Sequence, residues 1–115
     1  MRKPLIALLV LASLPGVALA HHGWGSYDSS KVLTIKSPVD ALDWHNPHVT
    51  VTMKHEGQSW QATLAPISRM QRRGLSEAML APGQDVTVVG YPSTRQEREM
   101  RAERITVGGQ VFELR

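Results

Sequence analysis

Five histidines and no cysteine bound the metal and nucleophile chemistry open to this 115-residue chain. They fall as His21-His22, as His45 and His48 about an Asn46-Pro47 pair, and as His55 beside Glu56-Gly57. Imidazole nitrogen without thiolate suits Cu(II) best in an oxidising compartment, with Zn(II) and Ni(II) as weaker occupants. His21 gains a second donor if the chain is cut before it, because a free α-amino group and the adjacent imidazole close a chelate ring on one metal. Joined by the imidazole of His48 or His45, that chelate becomes a histidine brace. The expected metal ligands are therefore His21, His22, His48 and His45, with copper as the cofactor. Asp28 or Asp43 would supply an oxygen or orient an imidazole. The competing reading is plain: paired histidines on a terminus are solvated, and His45 and His48 serve a turn through backbone hydrogen bonds. His55, next to a tight turn, is expected outside the site.

Residues 1–20 supply the cut. Arg2-Lys3, the apolar run Leu5 to Leu14, the helix-breaking Pro15-Gly16 and the small residues of Ala18-Leu19-Ala20 read as a secretory signal peptide. Cleavage after Ala20 makes His21 the first residue of a periplasmic or secreted protein. The apolar run is shorter than the ~20 residues that span a bilayer, and no later stretch is apolar enough to do so. Without cysteine there is neither a lipobox nor a disulfide framework.

Charge narrows the partners. The whole chain has 13 Lys+Arg against 10 Asp+Glu, and loss of Arg2 and Lys3 leaves 11 against 10. A near-neutral exported protein is a poor candidate for nucleic acid. Arg69, Arg72 and Arg73 form one basic group and Arg95, Arg98, Arg101 and Arg104 another, the candidates for a nucleic-acid or anion surface. Glu97, Glu99 and Glu103 interleave the second, so a solvated face with local ion pairs is expected. Ser26, Ser29 and Ser30 lie near histidines in sequence, but there is no nucleophile elbow, triad spacing, phosphate loop or zinc-protease helix motif. The chain reads as a binding protein and not as an enzyme.

The positioning elements are mostly strands. Val32 to Ile35 is β-branched, Ser37-Pro38 bends or bulges it, and Val39 to Trp44 resumes it. Asn46-Pro47 marks a turn. His48 to Lys54 alternates, with Val49, Val51 and Met53 on one face and His48, Thr50 and Thr52 on the other. After Glu56-Gly57-Gln58, Trp60, Ala62 and Leu64 share a face of the next strand. Pro66 opens a helix that Gly74 ends. Ser76 caps a short turn to Leu80, and Pro82-Gly83 leads into Asp85 to Tyr91. Thr94 to Arg101 reads as a charged, solvated connection. Strands at Ala102 to Val107 and Val111 to Leu114 complete the chain.

This order predicts a mainly β domain: a small OB-like Greek-key barrel of five or six strands, with one helix between the third and fourth. An open antiparallel sheet or small sandwich is the competitor. The layout is a signal peptide at 1–20, a flexible Gly-, Ser- and His-rich arm at 21–30 and one barrel domain at 31–115. The few large side chains of a small core are expected from Trp24, Trp44, Trp60, Tyr27, Tyr91 and Phe112. Trp24, between two glycines, would pin the arm to the barrel or meet a partner.

Several stretches together resemble an uncharacterised family of small exported bacterial proteins: His21-His22 followed by Trp24 and Tyr27-Asp28, the Trp44-His45-Asn46-Pro47-His48 segment, Arg73-Gly74-Leu75, and Pro82-Gly83-Gln84-Asp85 running into Val86-Thr87-Val88. Where the family usually has Ser after the two histidines, this chain has Gly23. The resemblance implies export and a small β fold, and names no activity or substrate. Two functions follow from the residues. One is a periplasmic copper-binding protein using the processed His21 terminus. The other is a metal-free interaction module that binds an envelope protein, saccharide or other ligand at a barrel face made by Trp44, Thr50, Thr52 and Trp60, with Trp24 contributing from the arm.

Overall fold

A computed structural model describes residues 23–115. Seven strands form one sheet: β1 (Leu33–Pro38), β2 (Ala41–Asp43), β3 (Thr50–His55), β4 (Gln58–Thr63), β5 (Asp85–Pro92), β6 (Glu99–Val107) and β7 (Gln110–Glu113). Among the described residues the only α-helix, α1 (Ile67–Arg72), lies between β4 and β5, followed by a 3-10 turn at Glu77–Leu80. The strand order is β1-β5-β6-β4-β3-β2, with β7 added to β6. Because β1 and β2 are successive parts of one bent stretch, that order returns on itself as a barrel. All pairings are antiparallel except β4 with β6. A bent first strand, a helix after the third strand and a parallel pairing of the third and last barrel strands make this an OB-like fold.

The bend is built from Ser37-Pro38. β1 pairs with β5 as far as Pro38 opposite Asp85, and from Asp40, whose N–H donates to the Thr52 carbonyl, the chain follows β3. Pro38 has no N–H to lose at the switch. The Ser37 hydroxyl donates to the Pro38 carbonyl at 2.7 Å and accepts from the Lys54 N–H at 3.2 Å, bridging the two sides of the corner. Gly90 sets the other tight point. The β5–β6 register shifts there, and an added Cβ would stand 1.9 Å from the Arg101 carbonyl oxygen.

Alternation fills the core. Val49, Val51 and Met53 from β3 and its lead-in, Ala62 and Leu64 from β4 and its end, and Met70 from α1 are all buried. The aromatic residues lie mostly at the margin of the core. Of the six, only Phe112 is buried in the core; Trp44 and Trp60 are half-buried against it, and Trp24, Tyr27 and Tyr91 are partly exposed. Branched aliphatics and methionines fill the small interior, since inward-facing barrel positions favour compact or adaptable side chains.

One expected loop is also strand. The connection expected to run through Arg101 ends at Arg98, because Glu99–Arg101 pair in parallel with Gln61–Thr63. Met100 is fully buried and Arg101 is only 6% exposed. Among the described residues no helix is long and apolar enough to cross a membrane.

Candidate functional site

Two irregular segments carry the chemistry-bearing side chains within the described residues. The first runs from Trp24 to Asp28. Trp24–Ser26 is a 3-10 turn, and the chain then bridges β5: Tyr27 pairs with Ser93, and the Asp28 N–H donates to the Pro92 carbonyl at 2.9 Å. Both the N–H and the hydroxyl of Thr94 donate to the Ser26 carbonyl, at 2.9 and 3.0 Å. The Trp24 ring meets Tyr91 edge-on with centroids 6.1 Å apart. The guanidinium carbons of Arg101 and Arg115 lie 4.8 and 4.5 Å from its centre. One indole thus holds two cations, which its π face attracts.

Burial shifts Arg101 and Tyr27 most, and a hydrogen bond shifts Tyr91. Desolvation lowers the Arg101 guanidinium from its usual range, opposed by Tyr27 and reinforced by the charges of Arg69 and Arg115. A guanidinium stays protonated through such a shift. Tyr27 donates to Glu99 at 3.3 Å, and burial followed by the Glu99 charge raises its hydroxyl pKa. Tyr91 donates to Glu103 at 2.7 Å, and that hydrogen bond is the main cause of its own raised value. Asp28 accepts from the Ser30 hydroxyl and N–H, which lowers its carboxyl, and lies 3.7 Å from Lys31.

The second segment is the loop from Asp43 to His48. Nδ1 of His45 contacts Asp43 Oδ1, with both side chains largely exposed. The Asn46–Pro47 peptide is cis. The Asn46 side-chain oxygen accepts from the Ile67 N–H at 3.0 Å, satisfying a first-turn donor of α1 that the helix itself leaves open. His48 is half-buried and precedes Val49, whose main chain bonds to Leu64 and Ala65, so the β3 alternation reaches back to His48. It continues the outward row of half-buried Thr50 and Thr52.

The other expected site residues are scattered. His55 meets the Trp60 ring edge-on at 5.8 Å and lies 3.9 Å from Glu56, as suits a turn residue. Trp44 and Trp60 rest on the core from different strands or loops. His21 and His22 lie outside the described residues. Among the described residues, no three His, Asp or Glu side chains gather into a group able to hold a metal.

A third feature completes a basic group that the sequence showed only in part. Arg69, Arg72, Arg73 and Arg115 line a pocket of about 340 Å³. Arg69 donates to the Leu114 carbonyl at 3.4 Å and Arg73 to the main-chain oxygen of Arg115 at 3.1 Å. Within this group the ion pairs reach only Arg115, which shares Glu103 with Arg104, while Glu97 pairs with Arg98. The spacing of Arg69, Arg72 and Arg73 along one helix was legible, but nothing local connects them to Arg115.

Comparison with solved structures finds a chain from the crystal structure of the S. pombe Stn1–Ten1 complex, at 17% identity and a TM-score of 0.49, covering 66% of this chain and 57% of that one. The chain thus spans little more than half the length of that relative. No curated protein matches it. A family model described as a family of unknown function, DUF6152, matches residues 8–102, and the chain belongs to that family.

Proposed function

We propose that this protein is an exported, non-catalytic binding module that takes up Cu(II) at a processed N-terminus, through the amine and imidazole of His21 with the imidazole of His48. The observation that carries the reading is the docking of Trp24–Asp28 on the outer surface of the barrel. The Tyr27 hydroxyl sits beside Thr63 and Glu99, Thr63 pairs with Thr50, and His48 stands in the same outward row. A terminus at His21 would precede Gly23 by two residues, roughly 7 Å of extended chain. The docked segment therefore supports a short reach to the face that His48 occupies. Asp43 at the Nδ1 of His45 adds support, since a carboxylate on one ring nitrogen orients and strengthens the other as a ligand. His22 and His45 are the remaining donors available to complete the set.

Titration of the metal-free mature protein with Cu(II), beside a form carrying one extra residue before His21, tests this. The mature form should bind one equivalent about 100-fold more tightly, with a nitrogen-rich electron paramagnetic resonance spectrum, and His48→Ala should weaken it. Equal, weak binding by both forms would overturn the copper reading. A metal-free interaction module would then be the reading to pursue.

A further inference from the structure

We propose that the pocket lined by Arg69, Arg72, Arg73 and Arg115 is a binding site for a phosphate group, separate from the metal chemistry above. Its guanidiniums come from α1, from the residue after it and from the end of the chain beyond β7. Arg101 adds charge from β6, close enough for Arg69 and Arg115 to depress its basicity. Like charges gathered this way repel, and the effect is stronger beside a half-buried surface than in open water.

The folded chain offers little compensation. Arg69 is held by the Leu114 carbonyl, which positions it without cancelling its charge, and Arg73 by an oxygen of Arg115. Glu103 pairs with one member of the group, and it is shared among Arg115 at 3.6 Å, Arg104 at 3.9 Å and the Tyr91 hydroxyl at 2.7 Å. Among the described residues, no carboxylate side chain pairs with Arg69, Arg72 or Arg73. Arg72 and Arg73 are exposed, so a ligand can reach them.

The geometry favours phosphate over a simple carboxylate. One carboxylate is satisfied by a single guanidinium fork, whereas phosphate presents several oxygens and up to two negative charges to forks from different directions. A pocket of about 340 Å³ has room for the group and accompanying water. Trp24 bears on the site because its ring holds Arg115 and Arg101 in place. A lipid headgroup and a free phosphate share this chemistry.

The test uses the full mature chain with a metal chelator present. Thermal melting and calorimetric titration with inorganic phosphate are compared with chloride at equal ionic strength, and with the Arg72→Gln, Arg73→Gln double variant, whose exposed positions leave the fold intact. Phosphate should raise the melting temperature by about 3 °C more than chloride, and the double variant should lose at least tenfold in affinity. Co-sedimentation with phosphatidylcholine vesicles, with and without phosphatidylglycerol, separates the sources. Retention on the anionic vesicles that the double variant abolishes assigns a headgroup; phosphate binding without such retention assigns a soluble ligand. The proposal is overturned if neither phosphate nor anionic vesicles are bound better than their controls, or if the double variant binds them equally well.

Discussion

Trp24–Asp28 and Asp43–His48 are both short, irregular and rich in reactive side chain types, yet the barrel holds them by different means. The first is fixed by main-chain bonds to Pro92 and Thr94 and by several side chains: one indole gathers Tyr91, Arg101 and Arg115, and the Tyr27 hydroxyl reaches Glu99 on β6. The second is fixed by Asn46, which serves the first turn of α1, while the Asp43–His45 contact remains in solvent. Side chains that hold a segment are costly to remove. Side chains that the backbone merely displays are cheap to remove, and so are available for ligands.

The most severe break in this contrast is Gly90→Ala. Its Cβ would collide with the main chain that carries Arg101, so the seam under Trp24 cannot close; a loss on the order of 4 kcal/mol or more, or no soluble protein, is expected in chemical denaturation. Trp24→Ala should cost about 2 kcal/mol by the same measurement, through lost ring packing and two lost cation–π contacts. In the other segment, Asn46→Ala should cost about 1 kcal/mol by freeing a first-turn donor, while His45→Ala should leave stability unchanged. A stability loss in His45→Ala as large as in Trp24→Ala would erase the distinction.

The tyrosines give the finest test. The chain has two, both raised above their usual value of about 10. A raised tyrosine favours the neutral folded form, so its stabilisation is complete below the unfolded value and is lost as pH rises through the folded one. Tyrosinate absorbance should therefore develop late in the native protein. In Trp24→Ala the Tyr27 share should move back toward about pH 10 as its burial is lost, while the Tyr91 share, raised mainly by its hydrogen bond to Glu103, should stay late.

How much was legible depended on whether a signal was local. Ser37-Pro38 announces a bend because proline withdraws a ladder donor, and the structure switches partners there. Val49, Val51 and Met53 reveal their buried face by alternation alone. Glu99–Arg101 could not be read, because charged residues beside a turn resemble a solvated loop until β4 supplies a parallel partner. Asn46 presented the features of a turn residue, and its service to α1 depends on a helix that begins about twenty positions later.

The element order, the OB-like class, the inward face of each strand and the inventory of imidazoles follow from the chain's local pattern, since periodicity and turn chemistry act over a few neighbouring residues. Which cations meet belongs to the tertiary structure. Arg101 becomes a buried charge, and Arg115 a neighbour of Arg69 and Arg73, only when β6 lies between β4 and β5, with β7 returning beside it. Electrostatic interaction depends on separation in space and on exclusion of water, and the closed barrel sets both.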